Sequence, residues 1–300
     1  MEFGRQRPSA ETLRWVERSV GPAARVVAWR RMTGGIMSAV HRLTIDNGGR
    51  RTVLVLRQYE QVPPFAGIVR QEAATLAALR SCGLLSPALV AIEPDGTETD
   101  GRPTLLMTRR PGRVELTPDD PDSWLAQMAR MAVRIHEAKV PAPPYQRWFD
   151  PAKRPVPSSA IRPSVWKEAL RVLREPHELT GQCLVHRDFQ HFNMLWQRGR
   201  LTGVVDWSTA SMGPADVDAG HCRLNLAVLF GVDRAEQFRL AYEAESGRPL
   251  DSWWDVHAIV AYDDDWPAFI PIQVAGRVSV DADGMTGRVE DLLTAALNRL

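Results

Sequence analysis

One stretch of this 300-residue chain concentrates side chains able to do chemistry: Leu184-Val185-His186-Arg187-Asp188-Phe189-Gln190-His191-Phe192-Asn193-Met194-Leu195-Trp196. About a dozen residues on, Leu201-Thr202-Gly203-Val204-Val205-Asp206-Trp207 carries an apolar run to a second carboxylate. The pattern is H-x-D-x-x-x-x-N, a hairpin turning at Arg198-Gly199-Arg200, then Asp. Phosphoryl transfer asks little covalent chemistry of a protein. It asks for a carboxylate facing the attacking hydroxyl and for hard oxygen ligands that hold magnesium on the phosphates. Asp188 suits the first task, accepting or orienting the proton of a substrate hydroxyl. Asn193 and Asp206 suit the second, as Mg²⁺ ligands, and His186 holds the loop through hydrogen bonds. Asp and Asn also form loops and cap helices without any such role. Either half of the pattern alone would favour that reading; both halves, in order and at hairpin spacing, favour the chemical one.

A transition-metal site built from Cys183, His186, Asp188 and His191 is the rival reading. Cys183 and His186 sit at opposite ends of a short strand's exit, and no second ligand pair of matching spacing follows. His221-Cys222 falls in a predicted helix and reads as core and surface. The three cysteines are far apart and odd in number, the pattern of reduced thiols in a cytoplasmic protein. Neither a long apolar run nor a secretory leader is legible, so no membrane partner is expected. The net charge of +1 hides an asymmetry of +3, +7 and −9 over successive hundreds of residues. That suits a protein holding an anion in one place and a cation in another, although surfaces also vary without function. The arginines are scattered rather than gathered in a stripe, so no nucleic-acid partner is expected.

The elements that must position these residues are legible from periodicity and turn chemistry. A short helix over 10–20 is followed by strands near 24–32, 36–45 and 52–59, with Asn47-Gly48-Gly49 as a strong hairpin signal. A helix over 66–82 and strands near 88–93 and 103–109 complete a small antiparallel sheet with one helix packed on it. Pro111-Gly112 reads as a hinge. Helices near 121–139 and 164–175 flank a loop rich in proline (Pro141, Pro143, Pro144, Pro151, Pro155 and Pro157). A strand at 183–185 and the two-strand unit at 194–206 precede helices near 216–229, 233–246, 251–262 and 286–299. The expected class is α+β: a β-rich lobe over 1–110 and a larger, mainly helical lobe over 111–300, with the hinge near 109–113.

These motifs resemble the aminoglycoside phosphotransferase family, a branch of the protein-kinase-like two-lobe fold with choline and homoserine kinase relatives. The likeness runs from about Met32 to the final helices and is most specific from His186 to Asp218. Within it, Gly213-Pro214-Ala215-Asp216-Val217-Asp218 matches a Gly-Pro stretch leading to an Asp that opens the next helix. The resemblance implies Asp188 as catalytic base, Asn193 and Asp206 as metal ligands, and Asp218 as a residue securing the loop. It implies ATP or GTP as co-substrate with Mg²⁺. The nucleotide's phosphates would lie under Thr33-Gly34-Gly35-Ile36-Met37-Ser38, where glycines let backbone N–H groups approach phosphate. Arg57 stands where kinases place a phosphate-binding Lys, and Glu72 on the next helix could pair with it. Leu105-Leu106-Met107-Thr108 would lead to the purine, bringing Met107 beside it.

Three positions depart from the family. No Lys precedes Lys139, so the small-lobe cation must be Arg57, bulkier than Lys and forked. Trp207-Ser208 follows the second Asp, and Gln190-His191-Phe192 precedes Asn193. The short gap from Asp206 to Asp218 and the absence of an Ala-Pro-Glu make a protein kinase the weaker reading. The acceptor is expected to be a small hydroxylated molecule. The acidic Glu243, Glu245, Asp251, Asp255, Asp263, Asp264 and Asp265 would suit an amine-bearing one, such as an aminoglycoside, though a solvated acidic face is the plainer account. Trp253, Trp254 and Trp266 would either cage an amine or pack the core. The alternative to an active kinase is a pseudokinase that binds nucleotide or acts as a scaffold. The oligomeric state is not legible.

Overall fold

In the computed structural model, the described residues are 7–32, 38–60, 64–262, 266–274 and 277–300. They form an α+β architecture in two compact units, Met1–Pro111 with Gly203–Thr209, and Gly112–Thr202 with Ala210–Leu300. The sequence divides the chain once, near 109–113. The structure also assigns the short segment after the hairpin, which carries Asp206, to the first unit.

The first unit opens with α1 (Ala10–Val20), started by Ser9, whose side chain accepts the Thr12 N–H and so satisfies one of the orphan donors of the first turn. The strands β1 (Ala24–Arg31), β2 (Ser38–Asn47), β3 (Arg50–Tyr59), β4 (Leu89–Glu93) and β5 (Thr104–Thr108) form an antiparallel sheet ordered β1-β2-β3-β5-β4. The β2–β3 hairpin closes through Gly48 and Gly49 at φ +62° and +85°, the two successive positive angles that make Asn-Gly-Gly a tight turn. Along β2, His41, Leu43 and Ile45 alternate inward, the period of a half-buried strand. Leu43 and Ile45 meet Trp15, Val16, Leu54, Leu56 and Leu106 in the core. Each such apolar side chain contributes about 1.5–3 kcal/mol by leaving water. Helix α2 (Pro64–Leu79) packs beside β4 and β5.

The second unit holds α3 (Pro121–Glu137), capped by Asp120 with Pro121 at its first position, and α4 (Pro163–Arg174). Then come β6 (Cys183–Val185), a 3-10 turn over His191–Asn193, and the hairpin β7 (Met194–Gln197) and β8 (Arg200–Val204), whose last residues enter the first unit's segment. A three-residue β9 (Ser211–Gly213) pairs with β6. The remaining helices are α5 (Asp216–Phe230), α6 (Val232–Ser246), α7 (Trp253–Ala261), α8 (Trp266–Val274) and α9 (Met285–Leu297). Helix α5 is buried along almost its whole length because α6, α7 and α9 surround it. Gly112 lets the chain lie against β7: a Cβ there would meet the Trp196 carbonyl at 2.7 Å, blocking the Arg113–Trp196 backbone pair.

Candidate functional site

Arg57 rises from β3, opposite Val40 of β2 and Leu105 of β5, and is 7% exposed. Each face of its guanidinium edge has a partner within the first unit. Nε donates to Ser38 Oγ at 2.9 Å, and Nη1 reaches both Glu72 oxygens at 3.2 Å. The outer edge forms a fork with Asp206, Nη1 to Oδ1 at 2.7 Å and Nη2 to Oδ2 at 2.9 Å. The Tyr59 ring lies 5.0 Å from the guanidinium carbon, and its hydroxyl donates to Glu72 at 3.3 Å. Burial opposes the Arg57 charge, but Asp206 and Glu72 outweigh it and hold its pKa well above the ordinary value. Burial pushes the Glu72 carboxyl up, and Arg57 works against that rise.

Asp206 takes φ +67°, a left-handed conformation that Asp tolerates better than most residues. The segment is anchored by Val204 N–H to the Leu85 carbonyl at 2.9 Å and by Trp207 Nε1 to the Val204 carbonyl at 3.0 Å. Ser208 Oγ donates to Asp206 Oδ1 at 2.8 Å. Both oxygens of Asp206 thus face a cation, Arg57, as a bidentate carboxylate would face a metal ion.

In the second unit the loop after β6 folds around Asp188. Its Oδ2 accepts from Asn193 Nδ2 at 2.7 Å, and the same amide donates to the Asp188 carbonyl at 2.9 Å. Its Oδ1 accepts from Gln190 Nε2 and lies 2.9 Å from His221 Nε2. The amide nitrogen of Asn193 is therefore spent on Asp188, and its oxygen is the atom suited to a ligand. Asp218, fully buried at the start of α5, accepts the backbone N–H of His186 at 2.8 Å and of Arg187 at 2.7 Å. His136 Nε2 lies 3.1 Å from it. Burial would raise the Asp218 carboxyl, but these donors and the nearby histidines hold it below its usual value. Arg187 sits at φ +68°, a conformation a non-glycine residue holds only when its surroundings fix it; the Asp218 bonds do so.

The sequence-derived residues accordingly fall in two groups. Ser38, Arg57, Glu72 and Asp206 meet in the first unit. Asp188 and Asn193 meet in the second, where His186 is fully buried with its ring beside Phe189. Met107 lies buried on β5 opposite Val55 and Leu89. Gly34 and Gly35 lie outside the described residues. His221 needs a correction: it is not merely a core residue but a direct neighbour of Asp188. Its position one turn after Asp218 on α5 is the sequence signal that could have found it. The acidic surface also needs correcting. Asp255 is fully buried with Arg223 and Arg299. Glu243 pairs with Arg239 at 2.6 Å, Asp251 lies 3.0 Å from His177, and Glu245 pairs with Arg130 at 3.2 Å. Trp253 and Trp254 are core residues; Asp263, Asp264 and Asp265 lie outside the described residues, as does the side chain of Trp266. The rival metal set does not assemble. Cys183 Sγ is turned to the Gly213 carbonyl at 3.4 Å, burial pushing its thiol up to about 12, and His191 packs against Trp124, Phe192 and Phe230.

A model of the phosphotransferase enzyme family matches residues 28–258. The chain belongs to that family. It is accordingly a phosphotransferase. Among solved structures it is similar to aminoglycoside phosphotransferase APH(4)-Ia, with a TM-score of 0.60 at 17% identity over 91% of this chain and 94% of that one. A thermostable mutant of APH(4)-Ia in ternary complex with ADP and hygromycin B gives 0.59 at 16% identity, over 96% and 98%. A Ralstonia eutropha JMP134 protein assigned as an aminoglycoside phosphotransferase gives 0.56 at 17% identity, over 97% and 98%. At these identities the likeness establishes the fold. A search of curated proteins found no match. Among the described residues, no helix is long and apolar enough to cross a membrane.

Proposed function

We propose that this phosphotransferase moves the γ-phosphate of ATP to a hydroxyl of a small acceptor, with Asp188 receiving or orienting the hydroxyl proton. The observation that carries the reading is the environment of Asp188. Asn193, Gln190 and His221 all address its carboxylate, fixing its orientation, while 28% of the side chain remains exposed for a substrate. A general base so held contributes about 10²–10⁴-fold. The nucleotide complex of APH(4)-Ia supports ATP as the donor. Arg57, seated between Ser38 and Glu72, is the cation for the phosphates, Gly34 and Gly35 cover them, and Met107 borders the purine.

Magnesium fits the donor set. Asp206 offers two carboxylate oxygens and Asn193 one amide oxygen, hard ligands of the kind the ion prefers. When bound, Mg²⁺ supplies charge neutralisation on the phosphates. Around it the chain's own residues act: Arg57 grips phosphate oxygens, Asp188 handles the proton, and Asp218 keeps the loop in place through His186 and Arg187. Lobes over 1–110 and 111–300 supply the nucleotide and acceptor groups respectively.

The test is calorimetric titration of the wild-type protein and Asp206→Ala with ATP and GTP, each with and without Mg²⁺. Magnesium-dependent binding of ATP that disappears in the variant is expected. Binding of neither nucleotide would overturn the reading.

A further inference from the structure

Beside Asp188 the second unit contains a half-open cleft of about 300 Å³, the solvent space at its mouth included, lined by Tyr145, Trp148, Arg187, His221, His257 and Tyr262, among others. His221 ties it to the reaction centre, lying 2.9 Å from Asp188 Oδ1. The lining is aromatic, and among its described residues there is no carboxylate. Its one full positive charge is Arg187, which is 8% exposed. This guanidinium lies face-on to Trp148 at 4.2 Å and to Tyr145 at 4.7 Å. Nη2 donates to the Gln146 carbonyl at 2.6 Å, and Nε is buried with no hydrogen-bond partner. Among the described residues no carboxylate pairs with the guanidinium. Asp218, the nearest acidic influence on it, is already bonded to backbone N–H groups and His136.

A buried cation without a counter-charge is costly, as is a buried donor without an acceptor. The backbone adds to the cost, since Arg187 stands at φ +68°, where glycine would be unstrained. These costs are met together at one residue adjoining the acceptor hydroxyl's expected position. A polycationic acceptor would be repelled there, and among the described acidic residues that might have drawn one, Asp255, Glu243 and Glu245 are paired with Arg223, Arg299, Arg239 and Arg130.

We infer that this cavity binds an acceptor carrying an anionic group, a carboxylate or a phosphate, on a planar or apolar frame, with Arg187 as the anion's partner and Tyr145 and Trp148 flanking it. The inference rests on the phosphotransferase reading, in which Asp188 meets the acceptor hydroxyl. A guanidinium donates to a carboxylate or phosphate in the same forked manner, so the two anions share one chemistry. The half-exposed Trp148 places an apolar face at the cavity mouth for the frame.

The test uses three matched alcohols differing only in charge: 4-(hydroxymethyl)benzoate, its primary amide and the corresponding benzylamine. Their affinities are measured by tryptophan fluorescence and calorimetry on the full chain, with 4-(phosphonooxymethyl)benzyl alcohol as the phosphate arm. The benzoate is expected to bind at least about tenfold more tightly than the amide, with the benzylamine weakest. That order should flatten in Arg187→Gly, whose backbone the site accommodates, and survive in part in Arg187→Lys. Equal affinities, binding by none of the probes, or a preference for the benzylamine would overturn the inference. Magnesium-dependent ATP binding is measured on the same samples. Its loss with the benzoate preference intact would fault the phosphotransferase reading alone, and its presence without the preference would fault the anion site alone.

Discussion

Asp188 and His221 divide the work of the loop. Asp188→Asn keeps the shape and the hydrogen bond from Gln190 but loses the basic oxygen. Turnover, followed by ADP release with an acceptor present, should fall by about 10²–10⁴-fold while ATP affinity stays within a few-fold. The buried histidines set a different dependence. Burial pulls His191 and His257 down to about 3 from the usual 6.5. The folded state therefore holds them neutral, while the unfolded chain takes up protons below about pH 6.5. Their contribution is complete above pH 6.5 and is lost as pH falls toward 3, at about 1.4 kcal/mol per pH unit for each histidine. Urea midpoints at pH 7 and pH 5 should differ accordingly, and His191→Leu should flatten that slope. The pairing of Asp188 with Asn193 was legible because loop chemistry is local. The partner His221 was not, because the contact with Asp188 depends on how α5 folds back under the loop. The pairing of Arg57 with Asp206 was hidden for the same reason: the two are 149 residues apart.

At the level of elements, α5 is the part on which the loop depends, since it carries both Asp218 and His221. Gly220, between them, lets α7 approach. A Cβ there would stand 2.4 Å from the Trp254 carbonyl, backbone that has little room to retreat. Gly220→Ala should destabilise the protein by about 1–3 kcal/mol, seen as a lower thermal midpoint, and should reduce turnover at temperatures where the protein remains folded. Most elements were readable from periodicity, including the β2–β3 hairpin at Asn47-Gly48-Gly49 and the 183–185 strand. Two were not. Helix α8 contains Pro271, which removes a backbone donor and reads as a break. Strand β9 is only three residues long and exists because β6 is there to pair with it; so short a run has no alternation to detect.

Across the whole molecule, the described acidic residues of the last hundred are taken up largely by ion pairs, with Asp255, Glu236 and Glu243 answering Arg223, Arg239 and Arg299. Composition revealed the surplus, but only the folded chain reveals its partners. The same logic governs the Arg57 cluster, where stability and ligand binding compete for one carboxylate. Lysine at this position cannot hold Ser38, Glu72 and both oxygens of Asp206 together. Arg57→Lys should therefore lose about 1–3 kcal/mol in urea unfolding, yet require less Mg²⁺ for half-maximal ATP binding, because Asp206 is released. The direct measurement of the transfer is the fate of the label when γ-³²P-ATP and Mg²⁺ are incubated with a small-molecule cell extract and either wild-type protein or Asp188→Asn. A new phosphorylated small molecule formed by the wild type and missing with the variant is the predicted result. Label confined to ATP and inorganic phosphate, identical for the two proteins, would contradict it.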